Sequence, residues 1–299
     1  MLNNLLYVVW DFDPVMFSIG GFELRYYGLM WAITFLLGER FFTNYARREG
    51  FGMQIIETGF IWIVLGAILG ARIGHCLFYE FDYYITKPWA ILTEFRNGGM
   101  ASHGSALGML FGMWMTARKH KMPYVWWLDR IMIPVTIGGA LVRLGNLMNS
   151  EIVGRITDVP WAFQFVRLHP NMPIESIPAQ HPAQLYEALC YVITFVILCV
   201  MYYKYDMGRR KPGIMFGVGV MGVFFTRPFV ELVKVNQEAF EADMLLNMGQ
   251  LLSLPFIVLA LYMIWKGAKG AKGAFPVGRP DSPANMPEKE KNSNKKNRK

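Results

Sequence analysis

The chain has 299 residues, of which 54% are apolar or aromatic and only 17% are charged. A soluble domain carries about 25% charged residues, so the composition excludes an ordinary soluble protein, and a mean hydropathy of +0.26 with 22 Phe and 20 Met excludes disorder and collagen. The net charge is +8, but ten Lys/Arg against three Asp/Glu from Lys266 onward place +7 of it in the tail, so no nucleic-acid partner is expected.

Cys76, Cys190 and Cys199 all sit in apolar stretches, which argues against a disulfide framework or a thiolate metal site. The opening run MLNNLLYVVWDFDP lacks a positive n-region and is not expected to be a cleaved signal peptide.

Spanning a bilayer takes about 20 mostly apolar residues, and seven segments of roughly that length follow an external arm at residues 1–25. Segment 1 (26–46) starts at Arg25, Tyr26 and Tyr27 and ends in Arg40, Arg47 and Arg48. Segment 2 (59–80) carries Gly66, Gly70 and Gly74 at spacing four, a pattern that lets helices approach closely in lipid, together with Arg72 and His75. Arg72 is assigned mainly to structure, paired with a carbonyl or with Glu80, and His75 to the membrane interface.

Segment 3 (99–117) begins in the glycine-bracketed run Gly98–Ser105, which contains His103, and continues the spacing with Gly104, Gly108 and Gly112. Segment 4 (125–149) carries Arg143 and Asn146, with Glu151 just beyond. Residues 150–182 are proline-rich, with the alternating run Trp161–Val166, and read as a small cap with one strand or hairpin. Segment 5 (183–203), segment 6 (213–233, with Arg227 and Glu231) and segment 7 (245–265) follow, and residues 266–299 read as a basic, disordered cytoplasmic tail.

Basic clusters follow segments 1, 3, 5 and 7, so the positive-inside rule places the N-terminus outside and the C-terminus inside. The fold class expected is therefore all-α: a polytopic membrane protein of seven transmembrane helices with a small extracytoplasmic cap. In that orientation the candidates singled out here, Arg72, His75, His103, Arg143, Asn146, Glu151, Arg227 and Glu231, all fall toward the outer leaflet. Such residues are costly in lipid and mark functional sites by default.

Two arginines on different helices offer planar forks to a phosphate, with Asn146 one turn beyond Arg143 and Glu231 four residues after Arg227. A structural Arg227–Glu231 pair is the competing reading. His103, at a helix start, is either a general base or a phosphate donor. No metal-ligand spacing, Rossmann or P-loop signature appears, so no metal and no cofactor is expected. A transporter or flippase for an anionic lipid is the alternative function, disfavoured because no inverted repeat is visible and the charges lie toward one face.

Taken together, the motifs resemble the prolipoprotein diacylglyceryl transferase family. The resemblance covers residues 11–265 and rests on Phe12-Asp13-Pro14-Val15, Tyr27-Gly28-Leu29, the stretch from Gly70 to Tyr79, the run Gly98–Gly104, Arg143–Arg155, His181–Glu187, Arg227–Glu231 and Met248-Gly249-Gln250. It implies a multi-pass enzyme of the bacterial cytoplasmic (inner) membrane, with its site toward the outer, periplasmic leaflet. Such an enzyme moves the diacylglyceryl group of phosphatidylglycerol to the lipobox cysteine of a prolipoprotein signal peptide, releasing glycerol phosphate in the first step of lipoprotein maturation.

Position by position, the resemblance implies catalytic roles for His103, Arg143 and Arg227. It implies substrate-binding roles for Tyr27, Asn146, Glu151, Gly154 and Glu231. The chain departs from the family pattern at Val142, where a glycine is frequent, and at Val223, where a tyrosine is. Pro228 also follows Arg227 directly and is expected to kink or reshape segment 6.

Overall fold

The computed structural model describes residues 7–94, 101–235 and 248–269. Gly98–Met100, the start of segment 7 and the tail beyond residue 269 lie outside the described residues, as do the side chains of Ser102 and Met248. Two compact units divide the described residues: one comprises those up to Gly38 and those from Asp129 to Lys269, the other Glu39–Leu128.

The first strands are β1 (Val8–Trp10), β2 (Val15–Ile19) and β3 (Phe22–Arg25). β2 and β3 form a hairpin whose turn residues Gly20 and Gly21 have φ of +57° and +83°, left-handed positions that glycine occupies without steric cost. Sequence reading treats this stretch only as an arm; Gly-Gly between two apolar runs is the hairpin signal it carries.

The helices α1 (Tyr26–Glu49), α2 (Met53–Phe78), the short α3 (Phe81–Thr86) and α4 (Ala90–Thr93), α5 (Ser102–Lys119) and α6 (Tyr124–Met148) come next. After them lie β4 (Phe163–Phe165), β5 (Ala179–Gln180) and α7 (Ala183–Cys199), which continues as a π-helical turn over Val200–Lys204. The short α8 (Met207–Arg210), α9 (Ile214–Glu231) and α10 (Met248–Ala268) complete the described chain.

Five helices are long and apolar enough to cross a membrane: Met53–Phe78, Tyr124–Met148, Ala183–Lys204, Ile214–Glu231 and Gly249–Ala268. The protein is thus a mostly helical, multi-pass membrane protein. These five correspond to segments 2, 4, 5, 6 and 7. The helices of segments 1 and 3 are less apolar, because α1 carries Glu39, Arg40, Arg47, Arg48 and Glu49 and α5 is diluted by glycine, serine and His103. The short strands add to the all-helical expectation and lie outside the five spans. Their backbone is paired strand to strand, an arrangement that hydrocarbon tolerates only in a closed barrel.

In the second unit, the two glycine ladders face each other. A Cβ on Gly74 would fall 2.8 Å from the Gly104 Cα, and one on Gly108 would fall 3.1 Å from the Gly70 Cα. The α2 and α5 backbones therefore touch directly, which is the close approach that small residues at spacing four permit. Arg72 is buried and donates to the carbonyls of Ile91 (2.9 Å) and Ala90 (3.1 Å), with its guanidinium over the Tyr84 ring, so it pins α4 to α2 as a structural residue. His75 lies 3.5 Å from Glu80 and stacks on Tyr79.

In the first unit, β1 runs parallel to β4 and β4 antiparallel to β5. Bridges from Ile156 to Gln180 and from Gly154 to Lys234 continue the pairing outward from β5. The Trp10 indole donates to the Leu147 carbonyl at 2.9 Å, tying this cap to the end of α6. Lower on α6, the buried Asp129 carboxylate accepts the Gly213 and Phe216 N–H groups (2.7 and 2.9 Å), which caps the start of α9. Arg130, also buried, donates to the Gly208 carbonyl at 3.1 Å. Sequence reading singles out neither, although both lie within segment 4.

The ladder predicts a sharp contrast. In detergent, Gly108→Leu should melt well below the parent, because overpacking costs about 1–3 kcal/mol even where side chains yield and here backbone stands opposite. Gly28→Ala, with nothing within 4 Å of the added carbon, should melt within a few degrees of it.

Candidate active site

α6, α7 and α9 of the first unit each contribute one or more charged side chains, and these side chains meet. Arg143, in the penultimate turn of α6, pairs through Nε with Glu187 of α7 and donates from Nη1 to Asn146 Oδ1 at 3.3 Å. Asn146 lies three residues on, on the same helix face, as its spacing requires. Its amide passes the contact to Glu151, donating at 3.0 Å, and Asn149 donates to the other oxygen at 3.1 Å.

The backbone around Glu151 is strained. Ser150 and Ile152 have φ of +56° and +58°, left-handed values at which a β-branched residue is an outlier and each residue costs on the order of 1–3 kcal/mol. The segment is held there by a hydrogen bond from the Glu151 N–H to the Asn146 carbonyl at 2.9 Å and by Gln184 Nε2 donating to the Glu151 carbonyl.

Arg227, one turn before the end of α9, approaches Glu231 with Nε 3.6 Å from Oε1. The helix runs on through Pro228 to Glu231, and the Pro228 carbonyl accepts from Gln250 at 3.2 Å. Glu231 makes a closer contact to Lys234, whose ammonium lies 2.8 Å from it and 3.6 Å from Glu187. The result is one alternating chain of charge, Arg143, Glu187, Lys234, Glu231 and Arg227. Glu187 and Lys234 are each 2% exposed and Glu231 7%. Three cations against two carboxylates leave the cluster net positive.

Gly154 and Tyr27 reach this cluster through the backbone and through packing. The Gly154 N–H donates to the His181 carbonyl (2.8 Å), and the residue bridges to Lys234 on its other side; an added Cβ would stand 2.6 Å from that carbonyl and 2.7 Å from the Val233 carbonyl. Only glycine admits strands this close on both sides. Arg155 adds a bond from Nε to the Lys234 carbonyl at 3.0 Å. Tyr27, in the first turn of α1, packs on Gly145: a Cβ there would meet its ring at 2.9 Å, between Arg143 and Asn146 in the α6 sequence.

Of the residues selected from sequence, this unit brings together Arg143, Asn146, Glu151, Gly154, Arg227, Glu231 and Tyr27. His103 belongs to the second unit, where it is exposed on the first turn of α5. Two members of the network were missed. Glu187 carries its own signal, an acid inside an apolar span. Lys234 lies one residue past the expected end of segment 6, in a connection where a lysine is ordinary.

Chemically, partly buried guanidinium forks with a net positive surplus suit a phosphate. The model of the prolipoprotein diacylglyceryl transferase family matches residues 14–266. A Porphyromonas gingivalis protein named phosphatidylglycerol–prolipoprotein diacylglyceryl transferase is 38% identical over 275 residues, covering 88% of this chain and 95% of its own length. Proteins of the same name from Bacteroides fragilis (38% over 276 residues, 89% and 97%) and Vibrio cholerae (36% over 270 residues, 87% and 93%) are similar to this chain as well. The chain belongs to the prolipoprotein diacylglyceryl transferase family.

Proposed function

We propose that the alternating charge network is the phosphate site of an enzyme that transfers the diacylglyceryl group of phosphatidylglycerol to the thiol of a prolipoprotein's lipobox cysteine. The observation that carries this reading is the pair of guanidinium groups, Arg143 on α6 and Arg227 on α9, joined through buried carboxylates and a lysine with one positive charge to spare. A phosphodiester brings one negative charge, so binding neutralises the cluster.

In the reaction, the cysteine sulfur attacks the glyceryl carbon and the carbon–oxygen bond to phosphate breaks. Glycerol phosphate then leaves with the bonding electron pair. Charge grows on the departing oxygens, and the arginine forks stabilise it more strongly in a water-poor site than they would in water. The attacking thiol must lose its proton, and His103 is proposed as the acceptor, with Tyr27, Asn146, Glu151, Gly154 and Glu231 holding or shaping the lipid site.

The same reading assigns α1 and α5 as two further spans. The total is then seven, with the N-terminus outside, residues 150–182 as a periplasmic cap and residues 266–299 as a cytoplasmic tail. The supporting observation is that Arg47 and Arg48 stand in the last turn of α1, Arg118 and Lys119 in the last turn of α5, and Arg209 and Arg210 in α8 beyond the end of α7. Single cysteines at Asp158 and Arg209 should label from opposite sides of sealed vesicles, and labelling from one side would remove the orientation.

Incubation of the purified protein with phosphatidylglycerol and a lipobox peptide should yield a thioether-linked diacylglyceryl peptide by mass spectrometry; no product would remove the transferase reading. Arg143→Lys and Arg227→Lys keep the charge but lose the fork, so the rate should fall about 10²–10³-fold with the protein still folded. Arg72→Lys should act mainly on melting temperature, because Arg72 holds carbonyls.

His103→Gln should be severely slowed and should recover part of its rate as pH approaches the ordinary thiol pKa of about 8.5. A pH profile parallel to the parent's would assign His103 to phosphate binding instead.

A further inference from the structure

We infer that Lys234 is a positioning residue that keeps Arg227 available to phosphate by claiming the carboxylates that would otherwise neutralise it. This inference rests on the transferase reading above. Glu231 stands four residues after Arg227 on one helix face, the spacing at which a carboxylate and a guanidinium ordinarily pair. Yet Glu231 Oε1 lies 2.8 Å from the Lys234 ammonium and 3.6 Å from Arg227 Nε. That Nε is buried and has no hydrogen-bond partner among the described residues.

Glu187, the second carboxylate, has Oε2 against Arg143 and Oε1 3.6 Å from the same ammonium. An ammonium suits this bridge, being a compact point charge with three donors, whereas a guanidinium demands a planar partner.

The position of Lys234 is imposed from outside the helix. It follows the C-terminal end of α9, where its residue bridges to Gly154, and Arg155 Nε donates to its carbonyl at 3.0 Å. The strand-like contact with the cap therefore sets where the ammonium stands. Without it, the charge count of the site falls to zero: two carboxylates would face two arginines, the surplus positive charge would vanish, and Glu231 would be free to close a fork-to-carboxylate pair with Arg227. A phosphodiester would then have to displace that pair to bind.

The test compares steady-state kinetics of the full-length enzyme in detergent, with phosphatidylglycerol varied at saturating lipobox peptide, for the parent, Lys234→Met, Lys234→Gln, Lys234→Arg and the double variant Lys234→Met/Glu231→Gln. Melting temperature is recorded for each. Lys234→Met and Lys234→Gln should raise KM for phosphatidylglycerol about tenfold or more, the scale of a lost charge-assisted contact, with a smaller effect on kcat. Lys234→Arg keeps the charge but not the compact geometry, so its KM should lie between the parent's and those of the neutral variants.

The double variant should bind lipid better than Lys234→Met, because the carboxylate that would capture Arg227 is gone; a merely structural lysine predicts the reverse, since two lesions would add. Lys234→Gln retains hydrogen bonding and length, so it supplies the comparison if the methionine variant does not fold. An active parent with unchanged KM in both neutral variants, or a double variant no better than its single parent, overturns the inference. An inactive parent overturns the transferase reading and this inference with it.

Discussion

Charge buried in an apolar surrounding must be neutralised locally, and that constraint organises this protein. A lone guanidinium or carboxylate between helices is prohibitively costly, and each buried charge among the described residues has a partner. The network from Arg143 through Glu187, Lys234 and Glu231 to Arg227 links α6, α7 and α9. Removing Glu187 or Glu231 would leave buried positive charge uncompensated, which in comparable buried pairs costs roughly 3–5 kcal/mol. The network is thus part of what holds these helices in register, and the proposed phosphate binding would draw on the same contacts as stability.

Comparing Arg72 with Arg227 shows how one residue type serves two ends. Arg72 spends its donors on the carbonyls of Ala90 and Ile91 and lies over Tyr84, an arrangement with a structural purpose. Arg227 is about a third exposed, approaches its carboxylate only at 3.6 Å, and has an Nε without a hydrogen bond among the described residues. An incompletely satisfied cation beside a surplus of positive charge is poised for an anion, while a satisfied one is not. The strained backbone on either side of Glu151 belongs with Arg227: the cost at Ser150 and Ile152 is borne where a carboxylate is aimed at Asn146.

The cap contributes through its backbone. Strand pairing runs from β1 through β4 and β5 to residues 154–156 and ends at Lys234, so a segment outside the spans positions a charge within the network. Gly154 is the point of closest approach in that path. Its place among the proposed site residues rests on the room its neighbours leave, since it has no side chain to offer a substrate.

Much of this was legible in the chain. Apolar runs long enough to span a bilayer, the spacing of the glycine ladders, and Arg143 with Asn146 and Arg227 with Glu231 follow from helix periodicity and the cost of charge in lipid. Both are local properties, so sequence by itself determined the membrane class, the small-residue faces of α2 and α5 and most of the charged residues that the first unit brings together. The Gly20–Gly21 hairpin was equally local and was passed over.

What tertiary structure alone decided is the pairing. Glu231 precedes Lys234 by only three residues, but its preference for Lys234 over Arg227 depends on the cap strand that holds Lys234. The partner of Arg143 is Glu187, 44 positions away on another helix. Periodicity tells which residues share a face; it carries no information about which face of a second helix comes opposite, because that is settled by packing the whole bundle at once.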